Sequence, residues 1–126
     1  ATVCMRRGAD VTLVTGPTET KKPEFVNILT VTTAREMFEA VTAHAPEQDI
    51  IIKAAAVADY RPKYVSDEKV KKKDGALSIE MERTDDILQY LGEHKREDQY
   101  LCGFSMETEH MLENSRKKLK KKHACP

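Results

Sequence analysis

Asp49-Ile50-Ile51-Ile52-Lys53 runs straight into Ala54-Ala55-Ala56-Val57-Ala58-Asp59. Three consecutive isoleucines between Pro46 and a side-chain-poor segment predict a strand covered on both faces, as the central strand of a parallel sheet is. Parallel strands need crossover connections, and the sequence on either side supplies them. Upstream, Thr33 with Glu36 three residues later forms a capping box. Ala34, Met37, Phe38, Val41 and Ala45 then share one helical stripe, which Pro46 closes. Earlier still are two β-rich runs, Val11 to Thr15, ending at Gly16-Pro17, and Val26 to Val31. Gly8 reads as the stop of a helix already under way at the start of the chain.

Downstream, residues 59–76 are polar and lysine-rich, with Arg61-Pro62 near the start and Asp74-Gly75 as a turn signal. This segment reads as a flap. Leu77, Ile79 and Met81 alternate with Ser78, Glu80 and Glu82, the period of a half-exposed strand in a small hairpin insertion. Thr84 reads as the cap of a short helix carrying Ile87, Leu88 and Leu91, with Asp85 and Asp86 in its first turn and Gly92 at its end. Tyr100 to Phe104 reads as a further strand, and Thr108 opens a last helix. The order implies an α/β fold, Rossmann-like and doubly wound, with a mostly parallel sheet and a single domain over residues 1–126.

The chain has 126 residues, with 21 Lys plus Arg against 21 Asp plus Glu, so its bulk charge names no partner. The apolar run from Ile50 to Ala58 is broken by Lys53, far short of the ~20 residues that cross a bilayer, and no membrane or secretory segment is expected. Cys4, Cys102 and Cys125 are odd in number and far apart. That fits no disulfide framework or paired metal site, and a reducing cytoplasmic setting is the expectation. The four histidines share no ligand spacing.

Ligands of doubly wound sheets bind beyond the carboxyl ends of the strands. Three such ends stand out, at Thr15 to Thr18, at Ala55 to Tyr60 and at Gly103 to Thr108. The alanines would let a flat base or a phosphate lie close to the backbone; packed under a helix, they would be ordinary core. Asp59 suits a ribose hydroxyl or a magnesium ion, or simply starts a turn. Lys69-Val70-Lys71-Lys72-Lys73 concentrates four positive charges that a polyphosphate would relieve, although such runs are commonly solvated faces. The cluster Lys117 to Lys122 reads as a surface helix face, and no nucleic-acid partner is expected. Gly103-Phe104-Ser105-Met106-Glu107 is no nucleophile elbow, because Glu107 stands where the tight turn needs Gly.

Taken together, Arg7 to Pro17, Thr33 to Met37, Ala54 to Pro62, Lys69 to Lys72 and Gly103 to Thr108 resemble one family, phosphopantothenoylcysteine synthetase of the bacterial type. The pairing of A-A-A-V-A-D-Y-R-P with a following K-x-K-K is the most specific part. The resemblance implies that CTP activates the carboxylate of 4'-phosphopantothenate as an acyl-cytidylate and that the amine of L-cysteine then displaces CMP, a step of coenzyme A biosynthesis. It further implies Lys69 as the catalytic cation, with Lys71 and Lys72 assisting. Ala55, Ala56, Ala58, Asp59, Tyr60, Phe104 and Gly16 would bind nucleotide, and Asp59 would approach Mg2+.

The resemblance also implies a homodimer and a flavin-dependent decarboxylase domain, fused or separate, with no flavin in this domain. Two departures are local: G-F-S-M-E-T replaces the usual G-F-A-x-E-T, and Asp85 replaces a common Pro. The family's glycine-rich first strand-turn-helix and its helpful asparagine would precede Ala1, so the chain is expected to be incomplete for catalysis. The alternative is a non-catalytic nucleotide- or flavin-binding module on the same scaffold.

Overall fold

The computed structural model describes residues 1–66, 68, 77–104 and 113. Its elements are α1 (Thr2–Arg6), β1 (Thr12–Thr15), β2 (Asn27–Thr30), α2 (Ala34–His44) with a 3-10 turn at Ala45–Glu47, β3 (Ile50–Lys53), β4 (Tyr60–Pro62), β5 (Met81–Arg83), α3 (Ile87–His94) and β6 (Tyr100–Gly103). The α/β class with parallel pairing and a small hairpin is therefore as read. The parallel strands form two separate pairs, β1 with β2 and β3 with β6, while β4 and β5 pair antiparallel. The last predicted helix, from Thr108, lies outside the described residues.

Local chemistry accounts for the element ends. Gly8 follows α1 with φ of 89°, a conformation that costs glycine little because it has no Cβ. Thr33 caps α2, its hydroxyl accepting the Glu36 N–H at 3.1 Å, while the Glu36 carboxylate accepts the Thr32 N–H at 2.7 Å. The helix α3 departs from expectation at both ends. Asp86 is its cap, accepting the Gln89 N–H at 3.0 Å, and the helix continues past Gly92, which is buried within it. Thr84 lies two residues too early to reach the first free N–H groups, and its hydroxyl is used elsewhere.

The core is formed by Ile87, Leu91 and Leu101, with Met37, Phe38, Val41, Ile51, Val57 and Leu88 packed against them. The predicted stripe of α2 thus faces inward. β3 is not buried on both faces. Ile51 turns to the core, but Ile50 and Ile52 are 62% and 51% exposed, because the strand has one hydrogen-bonded neighbour and its second face carries no covering layer among the described residues. At the start of β6 a buried glutamine replaces apolar packing. Gln99 Nε2 donates to the carbonyls of Ala45 and Gln48 at 2.6 and 2.5 Å, and its Oε1 accepts the Arg96 N–H at 3.0 Å. This ties β6 to the turn that introduces β3.

Candidate active site

A cleft of about 770 Å³ lies between β1 and β3, within the usual range of roughly 300–1,000 Å³ for small-molecule sites. Met37, Val41, Ile87 and Leu91 give it an apolar floor, and Gly16, Thr18, Lys53, Ala54 and Ala55 line it where β1 and β3 end. Two of the predicted nucleotide residues, Gly16 and Ala55, are thereby brought to one cavity. A Cβ at Gly16 would meet nothing within 4 Å, so that edge of the cleft is open rather than packed.

The loop after β3 alternates in a useful way. Val57 turns inward against the core, which anchors the segment, while Ala54, Ala55, Ala56 and Ala58 are exposed. The alanines are therefore not core residues under a helix; small side chains line an accessible surface and leave the backbone approachable. Asp59 is also exposed. Its carbonyl accepts the Thr84 N–H at 3.0 Å, and the Ala58 carbonyl accepts the Thr84 hydroxyl.

Tyr60 begins β4, opposite Arg83 in the hairpin register, so the flap expected over 59–76 opens with a paired strand. Arg83 Nε donates to the Tyr60 hydroxyl at 3.5 Å, and its guanidinium carbon lies 5.9 Å from the Tyr60 ring centre. The hydrogen bond to the Tyr60 hydroxyl first, and more weakly the negative charge of Asp59, hold the Arg83 guanidinium above its ordinary value against slight desolvation. Phe104 leaves β6 with its N–H on the Lys53 carbonyl at 3.4 Å and its ring 73% exposed. The ring pairs among the described residues are Phe38 with Tyr90 and Tyr90 with His94, and neither Tyr60 nor Phe104 belongs to one. β6 sits close to α3 at this exit: a Cβ on Gly103 would come within 2.5 Å of Leu88 Cδ2.

Lys69, Lys71 and Lys72 lie outside the described residues. Asp59 supplies one carboxylate, and no group of three or more His, Cys, Asp or Glu able to hold a metal occurs among the described residues. One exposed carboxylate does not hold a metal ion by itself, so a metal here would need most of its oxygen ligands from a bound molecule. Three residues at the site were not read from the sequence as part of it, Lys53, Arg83 and Thr84. Lys53 could have been found as the charge interrupting an apolar strand; nothing local in the sequence brings Arg83 and Thr84 to a loop more than twenty residues away.

These features define a Rossmann-like α/β domain with an accessible small-residue loop at the carboxyl ends of parallel strands, a class that binds ligands there. Residues 1–125 match the family described as DNA/pantothenate metabolism flavoprotein C-terminal domain, and the chain belongs to that family. It is 44% identical over 124 residues to the coenzyme A biosynthesis bifunctional protein CoaBC of Bacillus subtilis (strain 168), covering 98% of this chain and 30% of the relative. A protein of an unknown prokaryotic organism named cysteine/cysteine sulfinic acid decarboxylase is 43% identical over 118 residues, covering 92% of this chain and 33% of that protein.

Among solved structures, the crystal structure of the C-terminal domain of CoaBC superposes with a TM-score of 0.84 at 46% identity, covering 98% of this chain and 57% of that one. A DNA/pantothenate metabolism flavoprotein from Streptococcus pneumoniae shares the fold, with a TM-score of 0.77 at 19% identity, covering 95% of this chain and 63% of that one. The chain spans about a third of the length of these curated relatives. No helix among the described residues is long and apolar enough to cross a membrane.

Proposed function

We propose that this domain acts in coenzyme A biosynthesis as a ligase joining 4'-phosphopantothenate to L-cysteine at the expense of CTP. The observation that carries the reading is the exposed Ala54 to Asp59 loop, which opens on a cleft at the ends of two strands. The relatives named for coenzyme A biosynthesis support the pathway. In the first step a carboxylate oxygen of phosphopantothenate attacks the α-phosphorus of CTP and pyrophosphate leaves. In the second, the cysteine amine attacks the acyl carbon, CMP leaves and the amine proton is lost.

Joining two anions requires preorganised positive charge. Lys69, assisted by Lys71 and Lys72, is the proposed source, and Gly16, Ala55, Ala56 and Ala58 present backbone to the nucleotide. Asp59 holds ribose or the metal, while Tyr60 and Phe104 flank the base. Magnesium arriving with the nucleotide supplies further charge neutralisation at the phosphates. The active form is proposed to be a cytoplasmic homodimer, with a flavin decarboxylase domain fused or in partnership.

The test is to incubate the purified protein with CTP, Mg2+ and phosphopantothenate and to follow pyrophosphate and CMP with and without cysteine. Pyrophosphate release and cysteine-dependent CMP are expected; CMP that ignores cysteine would overturn the ligase. The description of the matching family as a flavoprotein domain favours a second reading, a nucleotide- or flavin-binding module without ligase chemistry. Calorimetric titration with CTP, ATP, FMN and NADP tests its flavin form, which requires FMN to bind, and cysteine-dependent CMP release separates the ligase from a module that binds nucleotide without turnover.

A further inference from the structure

We infer that Thr84 is a positioning residue for the alanine loop and thereby sets nucleotide affinity, an inference that rests on the nucleotide reading of that loop. Thr84 immediately follows β5, is half-buried, and bonds two consecutive carbonyls of a segment 25 and 26 residues earlier. Its hydroxyl donates to Ala58 and its N–H donates to Asp59 at 3.0 Å. Fixing the carbonyls on both sides of the Asp59 Cα fixes the two peptide planes that flank it, and with them the direction in which the Asp59 side chain leaves the chain. The loop is held at its middle by Val57 in the core and at its end by Thr84. The alanines between β3 and Thr84 have no long side chains with which to hold themselves.

The Thr84 hydroxyl serves no helix cap, since the cap of α3 is Asp86. The Thr84 N–H bond to Asp59 continues the register that pairs Tyr60 with Arg83, so it is the hairpin's last rung, whereas the hydroxyl bond to Ala58 reaches one residue beyond that ladder. The neighbouring Arg83 adds a second attachment, through the Tyr60 hydroxyl and ring. The end of β5 is therefore a clasp on Ala58, Asp59 and Tyr60, and the hydroxyl is the part of it that mutation can remove without touching the backbone.

Thr84→Val keeps the shape and deletes the donor, while Thr84→Ser keeps the donor. Thr84→Val is expected to weaken CTP binding about three- to tenfold, the range for loss of one hydrogen bond, and to lower the NMR backbone order parameters of residues 55–60. Thr84→Ser is expected to restore both to within about twofold. Both variants should keep the exchange protection of α3, which distinguishes a loose loop from a damaged fold.

Unchanged loop order parameters in Thr84→Val would overturn the inference, as would lower order parameters with unaltered CTP affinity, or a serine variant that behaves like valine. If the wild-type chain binds no CTP, the nucleotide reading fails by itself. Loop order parameters then decide the clasp alone: lower in valine and restored in serine upholds it, and no difference overturns it.

Discussion

The half of the molecule built on β3, β6 and α3 and the hairpin of β4 and β5 are stabilised by opposite means. In the first, Leu101 is fully buried and Ile87 and Leu91 are nearly so. In the second, Tyr64, Leu77 and Ile79 are 72%, 74% and 60% exposed, and cross-strand ion pairs join Arg61 to Glu82 at 2.8 Å and Lys63 to Glu80 at 2.6 Å. Burial gives one geometry that water and salt barely perturb, whereas exposed ion pairs are weak and screened. The alanine loop runs from the first region to the second. Val57 anchors it to the core, and its end is held by Thr84, the residue that follows the hairpin's second strand.

The contrast is tested most severely at Leu101. Leu101→Ala should cost about 2–5 kcal/mol, the range for deleting a fully buried leucine, measured by denaturant unfolding; a loss below 1 kcal/mol would mean that this half is not the anchored one. Next is Gln99, whose amide satisfies two carbonyls at the entrance to β3. Gln99→Leu leaves the carbonyls of Ala45 and Gln48 without that donor in a buried setting, for an expected loss of about 1–3 kcal/mol. Retention of wild-type stability would show that water or relaxation serves those carbonyls as well.

A smaller effect is expected at the start of α2, where Thr33→Ala should cost about 0.5–2 kcal/mol. Its partner Glu36 adds a pH signature. The Thr32 N–H first, and the Thr33 N–H and hydroxyl after it, outweigh slight desolvation and hold the Glu36 carboxyl below its ordinary value. A group with a depressed folded-state pKa stabilises above its unfolded value, roughly 4.3 for glutamate, and loses that contribution as pH falls through the folded value. Glu36→Gln should therefore be less stable than wild type at neutral pH, with the difference closing in acid below about pH 4. A difference independent of pH would remove the charge from the account.

These features differ in how far the sequence announces them. Thr33 with Glu36 and the stripe Met37, Phe38 and Val41 are local patterns that appear in the structure much as read, whereas the alternation Leu77, Ile79, Met81 does not: the strand is only Met81–Arg83, and all three apolar residues are exposed because no layer covers that face among the described residues. The exposure of Ile50 and Ile52 was not legible, because a run of isoleucines states what a strand could bury and not how many neighbours cover it. Asp86 displaced Thr84 as the cap because two capping residues stood two positions apart, and only the backbone direction chooses between them. In the candidate site, Gly16, the alanines, Asp59, Tyr60 and Phe104 were legible as residues beyond strand ends. Arg83 and Thr84 were not, since their place beside Asp59 depends on antiparallel pairing between distant segments.

The smallest expected effect falls on the hairpin, and there its sign under salt matters more than its size. Glu82→Gln removes the acceptor charge facing Arg61, both side chains being a little over a third exposed. Such a pair contributes no more than about 0–1 kcal/mol and is screened as ionic strength rises. The variant should therefore unfold almost with the wild type, and high salt should erase the remaining gap. If hairpin stability fed directly into the alanine loop, the NMR order parameter of Ala58 would fall in Glu82→Gln at low salt and return toward wild type at high salt. The Thr84 hydroxyl bonds the Ala58 carbonyl one residue beyond the hairpin ladder, so Ala58 should stay unchanged while amide exchange at Arg61 and Lys63 rises. A salt-dependent fall at Ala58 would show instead that the loop's end is held by the hairpin as a whole, merging the two regions that the clasp keeps apart.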